Sequence, residues 1–428
     1  MRPGAEVMAS LHELIVLEMG YGPGVAFAAR LLADAGCTVV KVEDARNPDP
    51  TRKSSFFAWP ESSPESSVLF HYLNSSKLGV CVDCRTEATR ELIRSLIQRA
   101  DLVFIDRAFL ELYGSMVHEA VRSAGTVAVA VTPFGATGPY SEYDATGRIV
   151  FAAAGEASML PGGLGYELFP DAPPLLVRGR VVDYIAGTVA ALVGAASLCG
   201  VLVGEHRGAF IDIAEQETEL SLNRWLISQY TAFEWVESRA TRAYRYGGMM
   251  PCKDGYVMFQ PTTDWHWTAL VRMMGNPEWA QDARFADVAS RAEHGREINQ
   301  RLREWASGLT KAELLTLGLE HECPVGPFRR VDEIADCDQL RARGFFRQYR
   351  PSQGALVMPW PGLPFRLSEE DASVRRPAPA LGEHTRHVLS DLLGLPAEKI
   401  DELERLGLIL CGPRSQKLDD GQRSESHE

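Results

Sequence analysis

The N-terminal part of the chain alternates between short apolar runs and an amphipathic stretch. An apolar run covers 11–19, a glycine-rich turn follows at 20–24, and helical spacing extends over 25–35. A second apolar run, 37–42, ends at Glu43. Strand, turn, helix and strand in this order form a βαβ unit, which makes the two strands parallel and places the helix on one face of their sheet. The pattern predicts an α/β fold.

The alternation continues along the chain. It predicts strands at 78–83, 101–105, 126–131 and 209–213, and helices at 87–99, from about 184, and at about 215–236, with a Gly- and Pro-rich loop at 156–180. The composition shifts near 240. A strand at 255–260 then lies among short helices, which indicates a smaller α+β domain. Two terminal helices, near 385–393 and 396–406, precede a polar tail that we expect to be disordered.

Composition narrows the class of protein. The 428 residues are 45% apolar and 24% charged, which is ordinary for a soluble globular chain. The net charge of -13 argues against broad nucleic-acid binding, which needs a basic face. The N-terminus lacks the apolar core of a signal peptide. Residues 184–204 carry no charge but are rich in Ala and Gly, so we expect a buried helix and a cytoplasmic protein without a membrane span.

The eight cysteines form no disulfide framework. Cys81 and Cys84 have the CxxC spacing, but they end a predicted strand, in which residues i and i+3 point to opposite faces. No second Cys/His pair follows at the spacing of a zinc site. We therefore expect no metal.

Asp183 lies in VVDYIAG, directly before the uncharged stretch. A carboxylate beside apolar surface is costly unless it is hydrogen-bonded or neutralised. One hypothesis is structural: Asp183 caps the following helix. The other is chemical: Asp183 is a carboxylate nucleophile kept ionised by the helix terminus. The two hypotheses are compatible.

Two turns are candidate ligand sites. The turn at 20–24 suggests a dinucleotide site, but the fingerprint lacks its third glycine, since Val25 or Phe27 stands there. Its backbone N–H groups remain candidates for binding a phosphate. The second turn, 134–140, ends the strand at 126–131, and ligands of open α/β sheets lie at such carboxyl ends.

The ordered motifs together resemble a known family. They are VLEMGYGPGVAFAARLLADAGCTVVKVE, NSSKLGVCVD, ADLVFIDR, TPFGATGPY, VVDYIAGTVAAL, DGYVMF, ECPVGPFRRVDEI and ALGEHTRHVL. The chain is similar over about residues 11 to 410 to the family III CoA-transferases, which include formyl-CoA, carnitine and bile-acid CoA-transferases. Each motif is weak alone, whereas the ordered set is specific.

This resemblance implies an interlocked homodimer with a Rossmann-like large domain built from both chain ends. The implied division is a large domain at 1–215, a linker helix at 216–245, a small α+β domain at 246–335, a return to the large domain at 336–411 and the tail at 412–428. Aromatic residues near the boundary are interpreted chiefly as core or dimer contacts: Trp225, Tyr230, Phe233, Trp235, Tyr244 and Tyr246.

The resemblance also implies a reaction. An acyl-CoA and a carboxylic acid exchange CoA through an aspartyl-CoA thioester on Asp183, and CoA is a co-substrate rather than a bound cofactor. Gly247 and Gly248 match the family's mobile glycine loop, here only two glycines long. The implied CoA contacts are Tyr21, Gly22, Pro23, Gly24, Arg46, Asn74, Lys77, Asp106, Arg107, Phe134, Gly135, Gly138 and Tyr140.

Two alternatives stay open. An α-methylacyl-CoA racemase has the same fold but uses a His directly before the Asp of the 144 region, where this chain has Tyr143. The reference pKa of a tyrosine, near 10, suits proton abstraction at neutral pH poorly. A non-catalytic acyl-CoA-binding subunit is the other alternative, against which the retention of Asp183 speaks.

Overall fold

The structure, a computed structural model, describes residues 11–54, 66–204, 207–222, 224–240, 246–351, 357–366 and 374–412. Tyr244 and the predicted tail from 413 onward lie outside the described residues. The chain divides into two compact units. The first comprises Met1–Val150, Arg178–Ser221 and Gln339–Glu428, and the second comprises Phe151–Val177 and Leu222–Asp338.

Twelve strands are described. They are β1 (Ile15–Met19), β2 (Thr38–Asp44), β3 (Leu78–Val82), β4 (Leu102–Asp106), β5 (Val127–Thr132), β6 (Ala209–Ala214), β7 (Gly248–Cys252), β8 (Gly255–Phe259), β9 (Val325–Pro327), β10 (Phe346–Tyr349), β11 (Met358–Pro361) and β12 (Ile409–Leu410). The strands predicted from the apolar runs correspond to β1 to β6 and β8.

The α-helices in the described residues have the following bounds. They are α1 (Pro23–Ala35), α2 (Val68–Asn74), α3 (Glu87–Arg99), α4 (Arg107–Ser123), α5 (Gly147–Ala153), α6 (Leu164–Leu168), α7 (Val181–Leu202), α8 (Glu215–Leu222), α9 (Arg224–Phe233), α10 (Asp264–Met273), α11 (Val288–Glu293), α12 (Gly295–Ala306), α13 (Lys311–His321), α14 (Val331–Ala335), α15 (Asp338–Ala342), α16 (Thr385–Asp391) and α17 (Ala397–Arg405).

The large sheet of the first unit has the order β12-β3-β2-β1-β4-β5-β6. Strands β1 to β6 pair in parallel, and β12 pairs antiparallel to β3. The chain proceeds from β1 outward to β2 and β3 and then returns to β4 on the other side of β1. Loops leaving β1 and β4 therefore diverge, which creates the crevice in which open α/β sheets bind ligands. The predicted α/β class is confirmed.

Helices cover both faces of this sheet. Val16 and Val129 belong to the apolar core beneath α1 and α7, whereas Leu17 and Ala130 belong to the core beneath α3, α4, α16 and α17. This division follows the alternation of side chains along a strand. Both cores are continuous across the parallel strands, as expected for strands buried on both faces.

Helices α1 and α7 contact each other through glycine. A Cβ atom on Gly187 would lie 2.6 Å from the carbonyl oxygen of Gly24 and 3.2 Å from Cβ of Phe27. A Cβ atom on Gly24 would lie 3.1 Å from the carbonyl oxygen of Asp183. The two glycines thus let the helix backbones approach each other. This contact explains why an aspartate is followed four residues later by glycine in this segment.

Helix α7 is buried on one face only. Ala186 and Ala190 are fully buried, whereas Leu192 is 68% exposed. In the most apolar 18-residue window, 33% of the residues are buried. By length and composition alone α7 is apolar enough to cross a membrane, a test that core helices of soluble proteins also pass. The prediction of a buried helix therefore holds for its Ala- and Gly-rich face.

The second unit has its own small sheet and core. Strands β7, β8 and β9 form an antiparallel sheet, and helices α10, α12 and α13 contribute to the core on it. Residues 151–177, which the predicted large domain included, group with this unit because α6 contacts β7. The predicted helix at 215–236 is described as α8 and α9, and α9 ends at Phe233, before Glu234 adopts a φ of 53°.

We predict that Gly187→Ala destabilises the protein by about 1–3 kcal/mol, because the added methyl group collides with the backbone of α1 and overpacking costs this much. Gly194→Ala, on the same helix, is the control, since its Cβ would meet only side chains at 3.3 Å or more. Denaturant unfolding measures both. Equal stability of the two variants would contradict the backbone contact.

Candidate active site

Asp183 is the third residue of α7 and is 6% exposed. The helix begins at Val181, its N-cap residue is Arg180, and no side chain caps it. The hypothesis that Asp183 caps the helix is therefore wrong, because the helix starts three residues earlier than the sequence pattern suggested. The carboxylate still lies in the first turn, where the helix dipole stabilises a negative charge.

Asp183 is weakly neutralised. Nη1 of Arg180 lies 3.7 Å from Oδ2 of Asp183, and the arginine side chain is 44% exposed. Burial raises the pKa of Asp183, and the Arg180 charge opposes this rise. A carboxylate with little solvation and one distant cation keeps its electron pairs available. This is the environment that a carboxylate nucleophile requires.

Glycines surround the carboxyl group and leave space beside it. A Cβ atom on Gly147, the first residue of α5, would lie 3.1 Å from Oδ2 of Asp183. Gly24 contacts the Asp183 backbone from α1, as described above. The candidate residue Gly24 is therefore brought to the proposed nucleophile, and Gly147 joins it although the sequence pattern did not indicate it.

The turn after β1 is closed by a carboxylate of the protein itself. Oδ2 of Asp106 accepts the N–H groups of Tyr21 at 2.6 Å and Gly22 at 3.2 Å. Its other oxygen accepts the N–H of Phe109 and so caps α4. Two of the N–H groups that were candidates for binding a phosphate are therefore engaged within the protein, and phosphate binding by this turn stays a prediction. Asp106 likewise faces the turn rather than a ligand.

Tyr21 and Pro23 have structural roles in this turn. The hydroxyl oxygen of Tyr21 accepts the N–H of Asp44 at 2.8 Å, and its ring packs edge-on against Phe109. Pro23 is the first residue of α1, where the missing N–H costs nothing, and Gly22 is the N-cap. The turn thus joins the ends of β1, β2 and β4.

Lys77 and Asn74 lie in the core. Nζ of Lys77 contacts Glu18 at 2.5 Å and donates to the Ala26 carbonyl at 2.8 Å and to Oδ1 of Asn74 at 2.9 Å. Both residues have 0% exposure. Three partners use the three donors of an ammonium group, which does not favour a contact with CoA, and the predicted CoA contacts of Lys77 and Asn74 stay predictions. Burial lowers the pKa of Lys77 to about 8, although Glu18 opposes this.

The other basic candidates are accessible. Arg46 follows β2, is 63% exposed and donates to Asp83. Arg107 begins α4 directly after β4 and pairs with Glu111 and Asp144. Arg85, which the sequence pattern did not single out, follows β3 and is also exposed, with Nε 3.8 Å from Asp44. Three guanidinium groups thus follow β2, β3 and β4 at the carboxyl ends of these parallel strands, with β1 lying between β2 and β4.

The loop after β5 presents aromatic rings. Gly135 and Gly138 have φ values of 94° and 96°, which favour glycine. The rings of Phe134 and Tyr140 are 5.8 Å apart, and Tyr140 stacks on Tyr143 at 5.1 Å. Both tyrosines are more than half exposed. This loop offers apolar, π-stacking surface at the same edge of the sheet as the arginines.

Gly247 and Gly248 belong to the second unit. Their φ values are 81° and 88°, and β7 begins at Gly248. The N–H of Gly247 donates to Oδ1 of Asn299 at 2.8 Å, and a Cβ atom there would meet Pro261 at 2.8 Å. Gly248 has open space on its Cβ side. The role of these glycines as a lid stays a prediction.

The cysteines of the CxxC segment are buried thiols. Burial raises the pKa values of Cys81 and Cys84 to about 12 each. Among the residues that the structure describes, no group of three or more His, Cys, Asp or Glu side chains could hold a metal ion.

Residues 11–385 match the model of a protein family described as CoA-transferase family III. The chain belongs to CoA-transferase family III. It is 29% identical to a succinyl-CoA--D-citramalate CoA-transferase of Chloroflexus aurantiacus over 93% of this chain and 98% of the relative. It is 28% identical to a formyl-CoA:oxalate CoA-transferase of Streptomyces coelicolor over 94% of this chain and 99% of the relative.

Solved structures share the fold. A CAIB/BAIF family protein from Brucella suis aligns with a TM-score of 0.74 at 24% identity, covering 90% of this chain and 99% of that chain. Rv3272 from Mycobacterium tuberculosis aligns with a TM-score of 0.73 at 20% identity, covering 88% of this chain and 98% of that chain.

Membership in family III identifies the activity. The protein is an enzyme that moves CoA from an acyl-CoA thioester to a carboxylic acid. This finding favours transfer over the racemase and the non-catalytic subunit. Two residues at the site escaped the sequence analysis: Arg180 and Gly147. Arg180 alone had a local signal, since it precedes Asp183 by three residues, the spacing at which helical side chains meet.

Proposed function

We propose that the enzyme transfers CoA through a covalent aspartyl-CoA thioester on Asp183. The observation that carries the proposal is the buried carboxylate in the first turn of α7, flanked by glycines and 3.7 Å from a single arginine. Family membership supports the reaction, and the setting of Asp183 supports its role as the nucleophile.

The steps balance without ATP or a metal. A carboxylate oxygen of Asp183 attacks the thioester carbon of the donor, and the CoA thiolate leaves a mixed anhydride. The thiolate then attacks the Asp183 carbonyl carbon, which releases the donor's carboxylate and forms the aspartyl thioester. The acceptor carboxylate attacks this thioester, and the returning thiolate releases Asp183 and forms the new acyl-CoA. Each step exchanges one acyl bond for another.

The CoA phosphates are proposed to bind at the carboxyl ends of the parallel strands. Arg46 and Arg85 present exposed guanidinium groups there, Arg107 presents a partly exposed one, and guanidinium groups bind phosphates through paired hydrogen bonds. Tyr140 adds an exposed ring on which the adenine can stack. Phe134, Gly135 and Gly138 hold the loop that presents this ring. We therefore retain these residues and leave out Asn74, Lys77 and Asp106.

The acceptor is proposed to be a dicarboxylic acid. The two relatives described above are named for citramalate and oxalate. A Succinate--glutarate CoA-transferase of Agrobacterium fabrum, which is 26% identical, is named for glutarate. All of these are dicarboxylic acids. Arg180 supports the proposal, because a half-exposed guanidinium beside the nucleophile can bind the second carboxylate of such an acid.

The assembly is proposed to be a cytoplasmic, interlocked homodimer. Support comes from apolar side chains that a single chain leaves exposed. Leu192 on α7 belongs to the first unit, and Trp225 and Phe233 on α9 belong to the second. A partner chain that covers these side chains would remove their apolar surface from water. By contrast, Tyr246 is buried in the core of the second unit and needs no partner chain.

Asp183→Asn should reduce transfer at least about 10³-fold, because the amide cannot form the covalent intermediate. The variant should unfold no earlier than wild type at pH 7. Burial raises the pKa of Asp183 above its unfolded value, so the ionised carboxylate lowers the stability of the folded state at neutral pH. Replacing this carboxylate with an amide should therefore not lower the stability further. Asp171→Asn, which changes an exposed carboxylate in the loop before α7, is the control.

Each protein is incubated with succinyl-CoA and hydroxylamine and analysed by mass spectrometry. CoA transfer is then measured with a panel of dicarboxylic acids as acceptors. Wild type and the control should form a hydroxamate on residue 183. Transfer at a near wild-type rate by Asp183→Asn would contradict the proposed mechanism.

Arg46→Gln and Arg107→Gln should each raise KM for acyl-CoA about tenfold at low salt with little change in kcat, since a phosphate contact of about 1.4 kcal/mol is lost. Arg94→Gln, on α3 and paired with Glu119, is the control. Steady-state kinetics at two salt concentrations measures the effect. An unchanged KM in both variants would place the CoA phosphates elsewhere.

Light scattering should give twice the chain mass of 47.2 kDa. Leu192→Asn should weaken the dimer, because it places a polar amide in an apolar interface, whereas Leu319→Asn on α13 should not. A wild-type protein that remains monomeric at micromolar concentration would argue against the homodimer.

A further inference from the structure

A second buried carboxyl group lies at the same point as Asp183. Glu215 is the first residue of α8, directly after β6, and is 8% exposed. A Cβ atom on Gly24 would lie 3.4 Å from Oε1 of Glu215 and 3.1 Å from the carbonyl oxygen of Asp183. One glycine of α1 therefore contacts both acidic residues. The resemblance to the family assigned no role to Glu215.

The two carboxyl groups are in unequal electrostatic environments. The charge of Arg180 acts on Asp183 and lowers its pKa against the effect of burial. Burial, and after it the negative charge of Asp183, raise the pKa of Glu215 to about 7. Two carboxylates in one poorly solvated place cannot both ionise without cost. The arrangement favours the negative charge on Asp183 and the proton on Glu215.

No neighbouring element supplies a cation to Glu215 in the part of the chain that the structure describes. Gly24 of α1 and Val131 of β5, which meet at this point, are uncharged, and Asp183 of α7 is acidic. On α8 itself, Glu219 follows one turn later and is buried. On β6, Asp212 is engaged by the N–H of Ala136. The proton is thus the group that neutralises Glu215.

We propose that Glu215 is a second carboxyl group of the active site, which keeps its proton while Asp183 is ionised, and that loss of this proton inhibits CoA transfer at alkaline pH. The proposal rests on the proposed role of Asp183. Glu215 acts through the charge at Asp183 and forms no bond to the substrate, so it is a positioning residue.

The chemistry explains why the proton matters. Each half-reaction brings an anionic carboxylate or thiolate next to Asp183. With Glu215 neutral, the site carries one negative charge. When Glu215 ionises, a second negative charge repels both anions in a place where water screens it little. Neither the thioester nor an acceptor carboxylate, with a pKa near 4, titrates around neutral pH. The phosphate monoester of CoA has its second pKa near 6, so an alkaline loss near pH 7 reports on the protein where it differs between wild type and a variant without this carboxyl group.

The test is the pH profile of kcat/KM for wild type and Glu215→Gln, because the amide has the shape and charge of the protonated acid. Wild type should lose about tenfold in kcat/KM between pH 6 and pH 8, as a single ionisation near 7 requires. The ratio of the variant to wild type should rise by the same factor over this range. Glu217→Gln, an exposed acid on the same helix, should keep the wild-type profile.

Two outcomes would overturn the inference. The first is an identical pH profile of kcat/KM for the variant and wild type. The second is a folded Glu215→Gln protein that forms no aspartyl adduct at any pH, which would mean that the proton of Glu215 is itself transferred in the reaction. Hydroxylamine trapping on wild type separates a failure of this inference from a failure of the proposed function. If wild type forms the adduct on residue 183 while the variant and wild type share one pH profile, only the role of Glu215 is refuted.

Thermal unfolding gives a second measurement that is independent of activity. The pKa of Glu215 is higher in the folded state than the unfolded value near 4.3, so folding binds its proton more tightly. Its favourable contribution is complete below about pH 4 and is lost as the pH rises through about 7. The Tm of wild type should therefore fall relative to that of Glu215→Gln across this window. A constant difference in Tm would also overturn the inference.

Discussion

The close approach of α1 and α7 is the constraint on which the site depends. Gly187 leaves room for the carbonyl oxygen of Gly24, and Gly24 leaves room for the carbonyl oxygen of Asp183. Because α1 follows β1 in the middle of the sheet, this contact fixes the first turn of α7 at the carboxyl ends of the parallel strands. The proposed nucleophile is therefore positioned by two backbones rather than by a network of side chains. A rigid backbone contact also suits a carboxylate that must remain available for reaction.

Charge is distributed differently in the core and at the site. In the core, Lys41 and Lys77 both contact Glu18, and Lys41 also contacts Asp49. Each of these four buried charges therefore has an oppositely charged partner within 2.8 Å. At the site, Asp183 has one arginine at 3.7 Å. Paired buried charges are structural because removal of either partner leaves the other uncompensated. The incompletely paired carboxylate is the one proposed to react.

Asp106 shows how the chain uses a ligand-binding topology for its own structure. The crevice between the loops after β1 and β4 is where open α/β sheets bind anionic ligands. Here a carboxylate of β4 accepts the N–H groups of Tyr21 and Gly22 and also caps α4. Accessible cations are displaced to Arg46, Arg85 and Arg107, one after each of three strands. Two N–H groups of the glycine-rich turn are thus used by the protein itself, which favours the arginines over this turn as the place for a phosphate.

The sequence by itself determined the order of strands and helices, since apolar runs and helical periodicity depend on local composition and burial. β1 to β6 and α1, α3 and α7 correspond to the predicted segments, and the motifs pointed to the family and to Asp183. Only the tertiary structure decided the state of each charged side chain. Lys77 was expected at a ligand and is buried on Glu18, because long-range pairing consumes its donors. Glu215 escaped notice since 32 residues separate it from Asp183 in the chain, and only the packing of α1 between them joins the two. Periodicity reports which face of an element is buried, whereas the partner of a charge is set by residues distant in sequence.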